Sequence, residues 1–257
     1  MTNIFSKLQI LIKSRKVFKN WYIYPKIYFR LTKKEYAIFK TKFGQKIKIR
    51  VNSTDLMALT HVWLIEEYAR KKFEIKSNDV VIDVGAHIGL FTMYASQSCK
   101  NGNIYSYEPV KENFDVLKEN MTINNLQNVK IFNSAVSNSD SKITLFMNND
   151  ESGHSMFSES AKNIIVNSTS LMKIFDDNNI EKCNFLKLDC EGAEYEIIEK
   201  LPSKYFEMIE KIVIEYHMHD EHPELLEKLK SELLKNNFKF ETKRLFSDIG
   251  FLYAVKN

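Results

Sequence analysis

Two glycines, an aspartate and a histidine follow a short apolar run in the stretch VIDVGAHIGLFT. Gly85 permits a tight turn, and Gly89 permits close packing or the close approach of a ligand. Asp83 bears on the charge of that ligand, because a carboxylate repels the pyrophosphate of a dinucleotide but suits the cationic amino acid tail of S-adenosylmethionine. His87 stands where the NAD-binding pattern has its second glycine, and its side chain would crowd a pyrophosphate. We therefore interpret this turn as a site for S-adenosylmethionine.

A further acidic residue stands at the end of the next predicted strand. Glu108 lies 23 residues after Gly85, where a carboxylate can accept hydrogen bonds from the hydroxyls of a ribose. The alternative is that Asp83 and His87 only cap the helix that starts near Gly89, an effect worth about 0.3–1 kcal/mol. Capping does not explain a glutamate at the matching place of the following strand, so we favour the cofactor site.

A third group of polar residues stands at the ends of two further predicted strands, LKLDCE and IVIEYH. Because neighbouring parallel strands end at one edge of a sheet, we expect these groups to lie near one another. Strand alternation would point Lys187, Asp189 and Glu191 to one side if the strand continues that far. Asp189 is the first candidate for a general base, or for orienting the acceptor. The weaker candidates are Glu191, Glu215 and His217.

Other interpretations of these residues stay open. Asp189 could serve only as the partner of Lys187, because a buried lysine needs a carboxylate. Carboxylates and an imidazole could also hold Mg²⁺ or Mn²⁺. Their spacing is not that of a compact metal motif, so we predict no metal ligand. Glu194 fits the capping of the next helix as well as it fits catalysis.

The elements that must position these residues alternate between strands and helices over residues 77–257. Short apolar runs are followed by stretches with helical spacing, which predicts a parallel sheet with helices on both faces. The alternation breaks between about 137 and 182, where we predict an insert. The C-terminal residues predict an antiparallel hairpin at the sheet edge. Residues 1–76 are predicted to form an N-terminal basic extension of helix, hairpin and helix.

The composition, 44% hydrophobic and 27% charged residues, is typical of a globular protein. The net charge of +4 is too small to favour nucleic acid as a partner. The three cysteines lack C-x-x-C spacing, which indicates a reducing compartment without a disulfide framework. We find neither a signal peptide nor an apolar run of about 20 residues. The sequence therefore predicts a cytoplasmic protein.

The first 34 residues hold nine Lys or Arg and no acidic residue, interleaved with aromatic and aliphatic side chains. Such a segment can lie on an anionic membrane surface, which for a cytoplasmic protein is the inner face of the membrane. It can also pack on the sheet as a helical cap with its lysines in water, and this cap is the interpretation we favour. The sequence leaves the oligomeric state open.

Over residues 50–220 the sequence resembles the FkbM family of S-adenosylmethionine-dependent methyltransferases. The similarity rests on VVIDVGAHIG, IYSYEP with NFDVLKEN, NSAVS and above all FLKLDCEGAEYEII. The last stretch matches the specific Lys-x-Asp-x-Glu-Gly-Ala-Glu signature of the family. The resemblance implies an α/β, Rossmann-like class I methyltransferase fold, with a seven-stranded, mostly parallel sheet whose last strand is antiparallel. It also implies S-adenosylmethionine as cofactor.

Carried over residue by residue, the resemblance implies a role for each part of the cofactor site. The residues facing the methionine part would be Asp83, Gly85 and Gly89. The ribose would be held by Glu108. The adenine would be bordered by Asn133, Ser134 and Ala135. The residues beside the transferred methyl group would be Lys187, Asp189, Glu191 and Glu194. His87 departs from the family, in which asparagine is common at that position, so its role is not implied.

The chemistry that these residues support best is transfer of a methyl group to a hydroxyl, which benefits from a general base by about 10²–10⁴-fold. We therefore predict O-methylation of a sugar, a glycan or another small natural product. A nucleic-acid acceptor is disfavoured, because the chain has neither an Asn-Pro-Pro-aromatic motif nor a Pro-Cys nucleophile. The alternative is a non-catalytic scaffold that binds S-adenosylmethionine or associates with a membrane surface.

Overall fold

A computed structural model describes residues 4–147, 154–155 and 162–257 of the chain. The N-terminal part consists of α1 (Ile4–Val17), α2 (Ile23–Tyr28), β1 (Tyr36–Lys40), β2 (Lys46–Arg50) and α3 (Asp55–Leu59). β1 and β2 pair as an antiparallel hairpin, as the alternating stretch YAIFKTKFGQKIKIRV predicts. A π-helical turn, Thr60–Ile65, continues α3 and ends where Glu66 adopts the left-handed conformation.

The first half of the central sheet alternates with helices. Its elements are β3 (Val80–Val84), α4 (Leu90–Ser96), β4 (Asn103–Tyr107), α5 (Lys111–Ile123) and β5 (Val129–Phe132). β3 pairs in parallel with β4, and β4 pairs in parallel with β5. The strands are short and apolar because helices cover the sheet on both faces.

A small second sheet interrupts the alternation. Its elements are β6 (Ala135–Ser137), β7 (Lys142–Met147), β8 (His154–Ser155) and β9 (Lys162–Ser170), and α6 (Leu171–Asp177) follows. The four strands lie in the order β6-β9-β7-β8. The Ser170 hydroxyl accepts a hydrogen bond from the backbone N–H of Lys173 and so caps α6. These elements occupy most of the range in which the sequence predicts an insert.

The second half of the central sheet completes the chain. Its elements are β10 (Phe185–Leu188), α7 (Glu194–Lys200), α8 (Ser203–Phe206), β11 (Lys211–Tyr216), α9 (Pro223–Lys235), β12 (Phe238–Arg244) and β13 (Gly250–Lys256). Pro223 stands at the start of α9, where its missing N–H costs no helical hydrogen bond. The C-terminal hairpin forms between β12 and β13.

The central sheet has seven strands in the order β12-β13-β11-β10-β3-β4-β5. β13 lies between β11 and β12 and runs antiparallel to both, whereas the other strands run parallel to one another. The predicted α/β, Rossmann-like class I fold with an antiparallel last strand is therefore confirmed. β12 forms the edge of the sheet, and β13 is inserted one strand inward.

Two apolar clusters fill the two faces of the sheet. One joins the N-terminal part to α4 and α5, and the other joins α6, α7 and α9 to the opposite face. The chain leaves β3 towards β4 and β5 and later returns to the other side of β3 as β10. Ligands of open parallel sheets bind beyond the carboxyl ends of the strands at such a reversal. The fold thus places the candidate site between the ends of β3 and β10. Among the described residues, no helix has both the length and the apolar character needed to cross a bilayer.

Candidate active site

The turn after β3 is pressed against the end of β10. The backbone of Gly85 has a φ of +74°, and a Cβ atom there would lie 1.7 Å from the backbone oxygen of Asp189. Only glycine fits this left-handed position and this close approach. The N–H groups of Gly85 and Ala86 both donate to the carbonyl of Tyr107 at the end of β4. The turn therefore joins the ends of three neighbouring strands.

Gly89 serves helix packing. A Cβ atom at this position would lie 2.4 Å from Cδ1 of Leu117 on α5. Gly89 therefore lets the start of α4 pack against α5. The sequence leaves close packing and close ligand approach open at Gly89; the structure shows the packing, and the approach of a ligand stays a prediction.

Asp83 and Lys187 form a buried ion pair between the adjacent strands β3 and β10. The Lys187 ammonium lies 3.0 Å from Oδ1 of Asp83 and donates to the carbonyl of Gly85 at 2.8 Å. The other Asp83 oxygen accepts a hydrogen bond from the Thr92 hydroxyl at 2.6 Å. Both Asp83 oxygens are thus engaged inside the protein, and direct contact of Asp83 with the methionine part of the cofactor stays a prediction.

Asp189 lies beside the same lysine at the end of β10. Its carboxylate is 3.4 Å from the Lys187 ammonium and remains partly exposed to solvent. Burial opposes the charge of Lys187, but Asp83 and Asp189 together raise the lysine pKa above its ordinary value. Asp83 is the nearer carboxylate of the two, so Asp189 is not the sole partner of the lysine.

A tyrosine from the N-terminal part joins the two carboxylates at the ends of β10 and β11. The Tyr68 hydroxyl donates to Oε2 of Glu215 at 3.1 Å and lies 3.4 Å from Oδ2 of Asp189. Burial, followed by repulsion from Asp189, raises the Glu215 pKa to about 8. Near neutral pH this cluster therefore holds an exchangeable proton next to Asp189.

His217 is enclosed by two other glutamates. Its Nδ1 lies 3.2 Å from Oε1 of Glu194, and its Nε2 lies 3.6 Å from Oε2 of Glu191. Burial opposes the imidazolium, but Glu191 and Glu194 raise the His217 pKa well above its ordinary value. Burial, with Asp189 and Glu194 nearby, raises the Glu191 pKa to about 7. Glu194 also accepts a hydrogen bond from the backbone N–H of Gly192 at the start of α7.

Asp189, Glu215 and His217 are the described group that could in principle hold a metal ion, because one possible ligand atom of each lies within 4.8 Å of the others. A histidine that binds a metal ion must have a neutral imidazole, with a free lone pair on the ligating nitrogen. The glutamates around His217 favour the doubly protonated ring, and the Lys187 ammonium already neutralises part of the Asp189 charge. The donor set therefore fits a metal ion poorly.

Glu108, predicted to bind the ribose, directly follows β4, and its contact with a ribose stays a prediction. Its oxygens accept hydrogen bonds from the backbone N–H groups of His87 at 2.8 Å and Val110 at 2.9 Å, and from the Asn113 amide at 3.3 Å. A carboxylate can accept about four hydrogen bonds, so capacity for a ligand hydroxyl remains. Burial raises the Glu108 pKa to about 7, against the effect of these donors. The residues present thus fit a nucleoside at this edge.

Arg50 of the N-terminal part contacts the Glu108 carboxylate indirectly, through Asn113. Arg50 on β2 donates to Asp55 at 2.8 Å and to the Asn113 oxygen at 2.8 Å, and it lies 3.2 Å from Nε2 of His87. The arginine thereby orients the Asn113 amide so that its NH₂ group points to Glu108. Burial lowers the His87 pKa to about 4, so the ring is neutral and suits this contact.

The three residues predicted to border the adenine follow β5. The Asn133 amide donates to the carbonyls of Glu108 at 2.9 Å and Pro109 at 3.0 Å. The Ser134 hydroxyl donates to the Asn167 carbonyl at 3.1 Å, and Ala135 begins β6 and is buried. These residues lie next to Glu108, and their contact with the adenine stays a prediction.

Sequence patterns do not identify every residue of the site. Tyr68, Arg50 and Asp55 come from the N-terminal part, which the sequence separates from the cofactor domain. In the stretch STDLMALTHVWLIEEYARKK, Asp55 reads as a helix start and Tyr68 as one apolar position among several. The nearest signal is the π-helical turn before Tyr68, since such turns are frequent at functional sites, but it is visible only in the structure.

Strand order, the glycine turn and the acidic residue after β4 together define a class I methyltransferase domain. The family model of the Methyltransferase FkbM domain matches residues 83–240, and the chain belongs to this family. The predicted cofactor, S-adenosylmethionine, is thereby confirmed as that of the family.

Two curated proteins are similar to this chain. Methyltransferase 1 of Beauveria bassiana (strain ARSEF 2860) is 23% identical over 163 residues, or 52% of this chain. Methyltransferase sdnD of Sordaria araneosa is 25% identical over 174 residues, or 55% of this chain. The matches span 63% and 67% of the lengths of those two proteins. Among solved structures, M. jannaschii TYW2 in complex with AdoMet aligns with 20% identity and a TM-score of 0.49, covering 87% of this chain and 86% of that one.

The Glu215 pKa predicts how pH changes stability. A glutamate with a folded-state pKa near 8, against an ordinary value of 4.5, stabilises the fold at low pH and loses that contribution as pH rises to about 8. Glu215→Gln keeps a neutral side chain at every pH. Its free energy of unfolding should therefore rise relative to wild type between pH 5 and 9, as measured in urea titrations at each pH. Glu112→Gln, at an exposed position on α5, is the control. If the difference in free energy of unfolding between Glu215→Gln and wild type does not change with pH, the raised pKa assigned to Glu215 is contradicted.

Proposed function

We propose that this domain transfers a methyl group from S-adenosylmethionine to a hydroxyl oxygen of a sugar, a glycan or another small natural product. The observation that carries the proposal is the placement of Asp189. Its backbone lies against the Gly85 turn, and its partly exposed carboxylate lies next to the Tyr68–Glu215 pair. The candidate cofactor turn and a candidate base are thus adjacent.

Each of these residues has a defined task in the proposed reaction. When bound, S-adenosylmethionine supplies an electrophilic methyl group on a sulfonium. Asp189 accepts the proton that the acceptor hydroxyl loses as its oxygen bonds to carbon. The Lys187 ammonium, 3.4 Å away, pairs with the Asp189 carboxylate, and the Tyr68 hydroxyl orients it.

The polar groups at this edge of the sheet favour a hydroxylated acceptor. Asp189, Glu191 and Glu215 contribute three carboxyl groups to the same edge. A sugar hydroxyl can hydrogen-bond to a carboxyl group in either protonation state. This supports the preference for a small hydroxylated acceptor.

Calorimetry followed by a transfer assay tests the proposal. S-adenosylmethionine and S-adenosylhomocysteine should bind the full chain, and Glu108→Ala should weaken both by about tenfold or more, because a charge-assisted hydrogen bond is lost. Glu112→Ala, an exposed carboxylate on α5, should bind as wild type does. Release of S-adenosylhomocysteine is then followed with sugars, glycans, amines and an RNA oligonucleotide, each with and without a chelator.

Transfer to hydroxyl acceptors that persists in the chelator supports the proposal. Transfer confined to amines or to RNA contradicts the acceptor class. Cofactor binding without transfer to any acceptor favours the non-catalytic scaffold.

A further inference from the structure

One short segment concentrates exposed apolar and cationic side chains. We name residues 21–34 the aromatic–basic segment. Its exposed apolar side chains are Trp21, Tyr22, Tyr28, Phe29 and Leu31. Its exposed cations are Lys26, Arg30, Lys33 and Lys34. The first 34 residues of the chain contain no acidic side chain.

The segment is attached to the domain by other side chains. Tyr24 and Ile27 are the buried residues of α2, and the Tyr24 hydroxyl is hydrogen-bonded to the Thr60 hydroxyl at 2.7 Å. The segment therefore packs on the domain as the favoured cap interpretation describes. The Tyr28 ring stacks on the Tyr24 ring with centroids 6.4 Å apart and so takes part in that packing. The cap does not account for the exposure of Phe29 and Leu31.

The turn after α2 holds the exposed residues in place. Arg30 adopts a φ of +54°, an uncommon conformation for a residue other than glycine. Its N–H donates to the carbonyl of Ile27 at 2.8 Å, and the N–H of Leu31 donates to the carbonyl of Lys26 at 2.7 Å. These bonds close the helix end in the manner of a C-terminal cap. Phe29, 60% exposed, and Leu31, 73% exposed, are thereby fixed on the outside of a rigid turn.

The composition of this surface differs from that of the rest of the molecule. Among the described residues, most of the large apolar side chains that are exposed precede residue 58. Within the aromatic–basic segment, the rings of Tyr28 and Phe29 meet at right angles with centroids 5.1 Å apart. The ammonium of Lys26 lies 5.5 Å from the centroid of the Tyr22 ring. Exposed apolar residues are ordinarily scattered singly on a soluble protein, and a contiguous group marks an interaction surface.

We propose that the aromatic–basic segment binds the surface of an anionic lipid bilayer. Tryptophan and tyrosine favour the level of the lipid headgroups, and Phe29 and Leu31 reach the boundary of the acyl chains. The four cations meet the anionic headgroups. This surface lies outside the candidate active site, and its binding requires neither cofactor nor acceptor.

Two other occupants fit the surface less well. A second copy of this chain would place cations opposite cations if the same patches met, which is unfavourable. A nucleic acid could pair its phosphates with the cations and stack bases on the rings. It would leave the aliphatic side chain of Leu31 without a partner, whereas a bilayer buries it.

Vesicle sedimentation with the full chain tests the proposal. The vesicles contain either phosphatidylglycerol and phosphatidylcholine in equal parts or phosphatidylcholine alone. Wild type should sediment with the anionic vesicles, and less so at high salt. The double variant Phe29→Ser with Leu31→Ser should lower the partition coefficient for the anionic vesicles by about tenfold. Lys33→Gln with Lys34→Gln should lower it as well and reduce the salt dependence.

The matched controls replace similarly exposed residues that lie outside the aromatic–basic segment. Leu234→Ser with Phe246→Ser removes side chains that are 60% and 62% exposed, and Lys118→Gln with Lys239→Gln removes two exposed cations. Both controls should bind vesicles as wild type does, and thermal unfolding shows whether each variant is folded. Equal losses in controls and test variants overturn the proposal. The proposal is also overturned if wild type does not sediment with anionic vesicles but binds an RNA oligonucleotide through the same residues.

Discussion

Replacing Asp189 with asparagine should lower the rate of methyl transfer by about 10²–10⁴-fold, the usual contribution of a general base. The amide has the same shape as the carboxylate but cannot accept a proton from an acceptor hydroxyl. Glu108 and the Gly85 turn are unchanged, so the affinity for S-adenosylhomocysteine should stay close to that of wild type. The measurements are kcat for a hydroxyl acceptor and the dissociation constant from calorimetry.

Glu191→Gln is the matched control for this prediction. Glu191 follows Asp189 by two residues, but its carboxylate faces His217 at 3.6 Å. We expect a smaller loss of rate than for Asp189→Asn, since the Glu191 carboxylate is paired with the His217 imidazolium. An Asp189→Asn variant that methylates at the wild-type rate, or a larger loss in Glu191→Gln, would show that the base is assigned to the wrong carboxylate.

Lys187→Met should destabilise the protein by about 3–5 kcal/mol, the cost of leaving one buried charge without its partner. The change removes the ammonium 3.0 Å from Oδ1 of the fully buried Asp83 carboxylate, while Oδ2 keeps its hydrogen bond from the Thr92 hydroxyl. Urea unfolding of wild type and variant measures the difference in free energy of unfolding.

Two further variants separate loss of the ion pair from loss of packing. Asp83→Asn combined with Lys187→Met removes both charges and should recover part of the loss. Lys211→Met, on β11, removes a buried lysine whose nearest carboxylate, Glu210 at 3.5 Å, is partly exposed, so it should cost less. Equal losses for Lys187→Met and Lys211→Met, with no recovery in the double variant, would refute a special role for the Asp83–Lys187 pair.

Local patterns were sufficient for the alternation of strands and helices and for the placement of Glu108 directly after β4. An apolar run followed by glycines predicts a strand that turns into a helix, and the distance from Gly85 to Glu108 predicts a carboxylate on the next strand. Both features depend on residues close in sequence and on the short strand–helix units of a parallel sheet. The number of strands in the sheet and the antiparallel last strand followed from the family resemblance.

Strand alternation failed at the end of β10. It predicts that Lys187, Asp189 and Glu191 point to one side, but β10 ends at Leu188 and Glu191 adopts a φ of +53°. The prediction required the strand to continue to Glu191, and this condition is not met because the chain turns before that residue. Lys187 points into the protein towards Asp83, and Glu191 turns towards His217.

The contribution of the N-terminal part could not be predicted, because it depends on contacts between residues far apart in sequence. Tyr68 lies 121 residues from Asp189 and 147 residues from Glu215 along the chain. Arg50 reaches Asn113 across 63 residues. No spacing rule links such pairs, and each residue has an ordinary local role in its own element.

The contact between the Asp189 backbone oxygen and Gly85 restricts how this domain can be redesigned. Lengthening or reshaping the loop after β10 to admit a bulkier acceptor would displace the glycine turn at the same time, and we expect donor affinity to fall with it. Libraries for altered acceptor scope should therefore leave the residue 85–189 junction and its Tyr68 contact intact.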